Sequence, residues 1–114
     1  MTAGLVTFST HVLDASTGRP AAGIGVRLER SIADGVWAPA AEGHADTDGR
    51  LRLPEGLEPG VYRVTFGTGA YFDARGSASF YPEVAVTFEA TLPGEHCHVP
   101  LLLSPFAYST YRGS

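Results

Sequence analysis

The sequence predicts an all-β protein: a two-layer antiparallel β-sandwich of about eight strands, with one short helix. Three observations predict it. Gly and Pro, 14 and 8 of the 114 residues, punctuate the chain at short intervals, as in a meandering β protein. The runs between them alternate apolar and polar residues, which gives a strand one buried face. Only one stretch, residues 68–78, reads as a helix candidate. The length is close to the commonest domain size, so residues 1–114 are read as a single domain.

Taken in order, the first strand is "LVTFSTHVLD", with Val6, Phe8 and Val12 on one parity and Thr7, Ser9 and His11 on the other. "DASTGRP" turns the chain, and "GVRLERS" sets Val26 and Leu28 against Arg27 and Glu29. Asp48-Gly49 in "ADTDGR" is the strongest short hairpin signal, and Arg50 opens the strand "RLRLP" behind it. "LPEGLEPG" brackets Leu57 between turn residues, and "GVYRVTF" puts Tyr62, Val64 and Phe66 on one face. The helix candidate "TGAYFDARGSA" has two internal glycines and no clear apolar stripe, so it is one or two turns at most. "EVAVTFEA" sets Val84, Val86 and Phe88 against Ala85, Thr87 and Glu89. "EHCHVPLLL" and "FAYSTYRG" complete the set.

Composition removes several function classes. The net charge is −4 with no basic run, which argues against nucleic-acid partners. No apolar stretch approaches the length of a membrane span. The start "MTAGLVTFSTH" has neither the charged nor the apolar region of a secretory signal, and the end is not a peroxisomal address. One cysteine, Cys97, allows no internal disulfide, so a reducing, cytoplasmic setting is expected. All eight basic residues are Arg. Schiff-base chemistry on a lysine is therefore excluded, and any fixed cation in a site is a planar guanidinium suited to carboxylates and polarised carbonyls.

Parity points to candidate site residues. His11 lies opposite the first strand's core face, with Thr7 and Ser9. His96 and His98 share a face opposite Cys97, Val99 and Leu101. Ser109, Tyr111 and Gly113 share a face in the last strand. Any one of these histidines alone reads as a solvated surface group. His44, in a loop, carries only that reading, and His96 lines the chemistry rather than performing it. Arg50 alone reads as a solvated hairpin residue, as Tyr111 and Ser114 do if the tail frays. Zinc held by His11, His96 and His98 is the alternative, because alternate strand residues point the same way and neutral imidazoles suit zinc. Cys97 points to the other face, however, and no carboxylate stands at ligand spacing in that strand, so a site without metal is preferred.

Four blocks resemble the 5-hydroxyisourate hydrolases, the transthyretin-related enzymes of urate breakdown. They are "STHVLDASTGRPAAGIGVRL", "HADTDGRL", "FYPEVAVTF" and "HVPLLLSPFAYSTYRGS", collinear over almost the whole chain. The closing Tyr-Arg-Gly-Ser is specific, since the transthyretin hormone carriers of the same fold lack it. Cys97 departs from the aromatic residue common there. The resemblance implies the prealbumin fold and a homotetramer whose outward polar faces line a channel between dimers. It implies 5-hydroxyisourate as substrate, its cyclic amide hydrolysed without a cofactor to 2-oxo-4-hydroxy-4-carboxy-5-ureidoimidazoline. It implies catalytic roles for His11, Arg50, His98 and Ser114, and substrate contacts from His11, Arg50 and Tyr111. His98 or His11 takes the proton of water, with His98 preferred because it lies beside the C-terminal strand in sequence. Arg50 supplies donors to the carbonyl under attack. Tyr111 and Ser114 offer hydroxyls, and the terminal carboxylate is placed to orient a histidine. The carrier reading, a transthyretin-like binder of an apolar aromatic ligand, stands as the rival. It calls for more apolar walls than His, Arg, Ser and Tyr provide.

Overall fold

In the computed structural model, which describes residues 4–114, the chain runs β1 (Thr7–Asp14), β2 (Arg19–Pro20), β3 (Gly25–Ala33), β4 (Val36–His44) and β5 (Arg50–Arg52). It continues through β6 (Gly60–Phe66), α1 (Thr68–Asp73), β7 (Val84–Ala90), β8 (His96–His98), β9 (Leu101–Ser104) and β10 (Ala107–Thr110). The N-terminal reading, where it rests on residues 1–3, lies outside the described range. The strands form two sheets, one built around β1 and the other in the order β4-β3-β6-β7. This is the expected two-sheet fold. β8 and β9 are halves of one strand interrupted at Val99-Pro100, and β2 has only two residues, so the ten segments amount to about eight full strands.

The antiparallel expectation holds for the β4-β3-β6-β7 sheet and needs correcting in the other. There β1 pairs antiparallel with β2 and β5 on one side, and parallel with β8 and β9 on the other. β10 then returns antiparallel along β9. Parallel pairing needs a long crossover, and here the crossover is the entire second sheet.

Asp48-Gly49 also needs correcting. It makes a tight turn, with Gly49 at φ 74° and its N–H bonded to the Asp46 carbonyl at 3.0 Å. The strands that it joins, β4 and β5, lie in different sheets, so it is a crossover turn and not a hairpin. The hairpin is at Asp34-Gly35, where Ala33 pairs with Val36 and Gly35 takes φ 70°. Its second strand, β4, did not stand out in sequence because "WAPAAE" is rich in Ala and holds Pro39. Both suit only an edge strand, which is where β4 lies.

The core lies between the sheets. Phe8, Val12, Leu28, Tyr62, Val64, Phe66, Leu101 and Leu103 are all at or below 2% exposure. A large apolar side chain buried to that degree contributes about 1.5–3 kcal/mol. Phe88 of β7 stacks on Phe8 at 5.7 Å and on Tyr62 at 6.1 Å, tying the sheets together. Two polar residues occupy core positions of β1, each with partners. Thr10 donates to the Val99 carbonyl at 2.6 Å. Asp14 accepts from the Ser16 N–H at 3.0 Å, the Ser16 hydroxyl at 2.5 Å and the Tyr71 hydroxyl at 2.9 Å. That last bond anchors α1 to β1. No helix among the described residues is long and apolar enough to cross a membrane.

Candidate active site

Burial alternates strictly along β1, so Thr7, Ser9 and His11 share its outward face. The neighbouring strands decide what stands beside them. His11 is register partner to Arg50 and Ser9 to Arg52 on β5. On the other side Thr7 partners His96 and Ser9 partners His98 on β8. One sheet face therefore carries two arginines and three histidines around a row of hydroxyls. This electropositive, hydrogen-bonding surface suits a flat, carbonyl-rich anion or polarised amide.

Arg50 is held by its backbone. Asp46 Oδ1 accepts the N–H of Asp48 and of Arg50, each at 2.9 Å. The Arg50 side chain is exposed and, among the described residues, has no ion pair. His98 is half-buried. Burial lowers its pKa from the usual imidazole value, the charges of His96, His11 and Arg50 lower it further, and a hydrogen bond to the Ser9 backbone opposes them. His98 is therefore neutral at neutral pH, as a base must be.

The imidazole hydrogen bonds run in a chain. Thr7 Oγ1 lies 2.5 Å from His96 Nδ1, Ser9 Oγ lies 2.8 Å from His96 Nε2, and the same Ser9 Oγ lies 2.8 Å from His98 Nδ1. Both ring nitrogens of His96 are thus engaged, which leaves it no free lone pair for a metal. Among the described residues no group of three or more His, Cys, Asp or Glu is arranged to hold a metal ion.

The C-terminal residues meet this site through the backbone. β10 ends at Thr110, whose hydroxyl donates to the Pro100 carbonyl at 2.6 Å. The Gly113 N–H then bonds the His98 carbonyl at 2.9 Å. A side chain at Gly113 would overlap the His98 ring at Cδ2 and come within 3.1 Å of Pro100 Cγ, so glycine alone lets the tail lie flush on the histidine. Ser114 follows directly and is exposed. Arg112 pairs with Glu95 at 3.3 Å but is 81% exposed, so this ion pair adds little stability.

Tyr111 lies past the end of β10, is 59% exposed, and shares with His98 the wall of a cavity of about 610 Å³ at the open rim of the sandwich. Val86, Phe88 and Cys97 line the same cavity; His11 and Arg50 do not. Burial pushes the Cys97 thiol up, the Glu95 charge adds to that and Arg112 opposes it, so the thiol stays protonated and unreactive. The structure thus brings His11, Arg50 and His98 to one face, sets Ser114 one residue beyond the Gly113 that bonds the His98 carbonyl, and leaves Tyr111 on the rim. His44 stands apart at the end of β4. Sequence reasoning passed over Ser9 and Gly113. Parity had grouped Ser9 with His11, but only the parallel register puts it between His96 and His98.

A two-sheet sandwich carrying a histidine–arginine face on its β1 sheet defines a transthyretin-like protein. A family model described as the HIUase/Transthyretin family matches residues 8–113, and the chain belongs to that family. A 5-hydroxyisourate hydrolase of Salmonella typhi is 47% identical over all of this chain and 85% of its own length. One from Mus musculus is 44% identical over 93% of each chain. Among solved structures, the Klebsiella pneumoniae 5-hydroxyisourate hydrolase superposes with a TM-score of 0.83 at 36% identity, covering 96% of this chain and 94% of its own. Sea bream transthyretin in complex with thyroxine superposes with a TM-score of 0.86 at 35% identity, over 93% of each chain. Backbone likeness alone therefore does not separate enzyme from carrier.

Proposed function

We propose that the chain hydrolyses 5-hydroxyisourate in urate breakdown, opening its six-membered ring at the cyclic amide to give 2-oxo-4-hydroxy-4-carboxy-5-ureidoimidazoline. The observation that carries this reading is the convergence of His11, Arg50 and His98 on one polar face around β1. His98 Nε2 takes a proton from water as the water oxygen bonds to the amide carbon. Arg50 donates to the carbonyl oxygen as it gains charge. The C–N bond then breaks, the ring nitrogen takes the proton, and the new carboxyl group ionises. His11 and Tyr111 orient the substrate, and the Ser114 hydroxyl adds a polar contact next to His98. No covalent intermediate or cofactor is needed in this scheme.

The working unit in this reading is a homotetramer in the cytoplasm. Its support is in the chain itself. β7 and β10 are unpaired edges, the kind of edge that proteins cover, and Phe80, Phe106 and Tyr111 are between 59% and 71% exposed.

The test is to mix the protein with freshly oxidised urate and follow the ultraviolet decay of the intermediate. Decay well above the buffer rate is expected, falling by about 10²–10⁴-fold in His98→Asn and about 10²–10³-fold in Arg50→Ala. Decay at the buffer rate, with saturable thyroxine binding, would establish the carrier instead.

A further inference from the structure

We propose that Ser9 is a positioning residue that fixes the tautomer of His98, backed by His96 and Thr7. The proposal rests on His98 acting as the base. Its foundation is the hydrogen-bond chain Thr7–His96–Ser9–His98, with the Ser9 hydroxyl at 2.8 Å from a nitrogen of each ring. A hydroxyl has one proton to give. Of the two imidazole nitrogens facing Ser9, one accepts that proton and the other must carry its own hydrogen.

The chain therefore has two polarities. In the first, His98 Nδ1–H donates to Ser9, Ser9 donates to His96 Nε2, and His96 Nδ1–H donates to Thr7. His98 then presents a bare Nε2 to the polar face. In the second, every bond is reversed, and His98 carries its hydrogen on Nε2, where it cannot take a proton from water. The first polarity is the one proposed, because only there is Nε2 free to accept a proton: the partner of one imidazole nitrogen sets what the other can do.

The experiment compares the whole protein with Ser9→Ala and Ser9→Thr, both on an outward face where the fold does not depend on the hydroxyl. In Ser9→Ala, kcat is expected to fall about tenfold with KM nearly unchanged, and Ser9→Thr restores most of it. Nitrogen-15 NMR of the His98 ring at about pH 8, above the usual imidazole pKa, should show it protonated on Nδ1 in the wild type and as a tautomer mixture in Ser9→Ala. A wild-type His98 protonated on Nε2, or a Ser9→Ala protein with unchanged kcat, would overturn the proposal. If the wild type shows no turnover, the functional reading fails, and the NMR arm still decides the hydrogen-bond chain.

Discussion

Gly113 stands against the site with no room for a side chain. Its missing Cβ leaves the space occupied by the His98 ring, and its N–H holds the His98 carbonyl at 2.9 Å. Gly113→Ala should displace the ring rather than unfold the protein. We expect kcat to drop about 10²-fold, the scale of a 1 Å misplacement, with a thermal midpoint close to that of the wild type. A variant with normal kcat would show that the ring has room to spare. His98 has a folded-state pKa below its unfolded value, with burial the first cause. Its contribution to stability is therefore present above the unfolded pKa of about 6.5 and is lost as pH falls through the lower folded value. Activity should persist below that unfolded value for the same reason. Asp14 follows the same sign at lower pH. Burial raises its pKa, but the bonds from Ser16 and Tyr71 outweigh burial and leave it below 3.8. Burial and Asp14 together push the Tyr71 phenol up to about 12, so it stays a donor. Tyr71→Phe should cost about 1.5–3 kcal/mol, as for a lost hydrogen bond to a charged group, and move acid unfolding to higher pH. Urea melts at pH 7 and pH 4 would check both, with turnover at neutral pH unaffected.

At the scale of elements, β1 organises the site because strands flank it on both sides. Its alternation was legible from sequence: Val6, Phe8 and Val12 inward, and Thr7, Ser9 and His11 outward, as observed. The same held for Tyr62, Val64 and Phe66 of β6 and for the brief helix. Parity is local, and the backbone enforces it. Register between strands far apart in sequence is not local, since it follows from how the sheets pack. Hence the parallel pairing that sets Ser9 beside His98 was invisible, and Asp48-Gly49 looked like a hairpin although its strands part into different sheets. The tail was half legible: parity applies only while the strand lasts, and β10 stops at Thr110. The Asp48-Gly49 turn carries its own prediction. A Cβ at Gly49 would lie 2.5 Å from the Val12 carbonyl, at a φ of +74° that side chains rarely adopt. Gly49→Ala should cost about 1–3 kcal/mol of strain and shift Arg50, which the turn delivers to His11. Denaturant unfolding with parallel kinetics would reveal both losses; a stable, fully active variant would mean that the turn bends freely.

At the scale of the molecule, a single chain leaves the edges of β7 and β10 open, with a cavity of about 610 Å³ lined by residues from both. Phe80, Phe106 and Tyr111 are exposed, and the proposed tetramer is expected to cover them. Light scattering should therefore give a mass near four times 12.0 kDa, and a monomer would remove the channel from the account. Similar folds are found in a hydrolase and in a transthyretin that binds thyroxine, and the proposed mechanism puts the difference in side chains on the outer face of the β1 sheet. The most direct test of that claim is the ultraviolet decay of freshly made 5-hydroxyisourate with the wild type, His11→Ala, Arg50→Ala and His98→Asn measured side by side. The account predicts rapid decay with the wild type and losses of about 10²-fold or more in the Arg50 and His98 variants. Wild-type decay at the buffer rate, or full activity without Arg50 and His98, would contradict it.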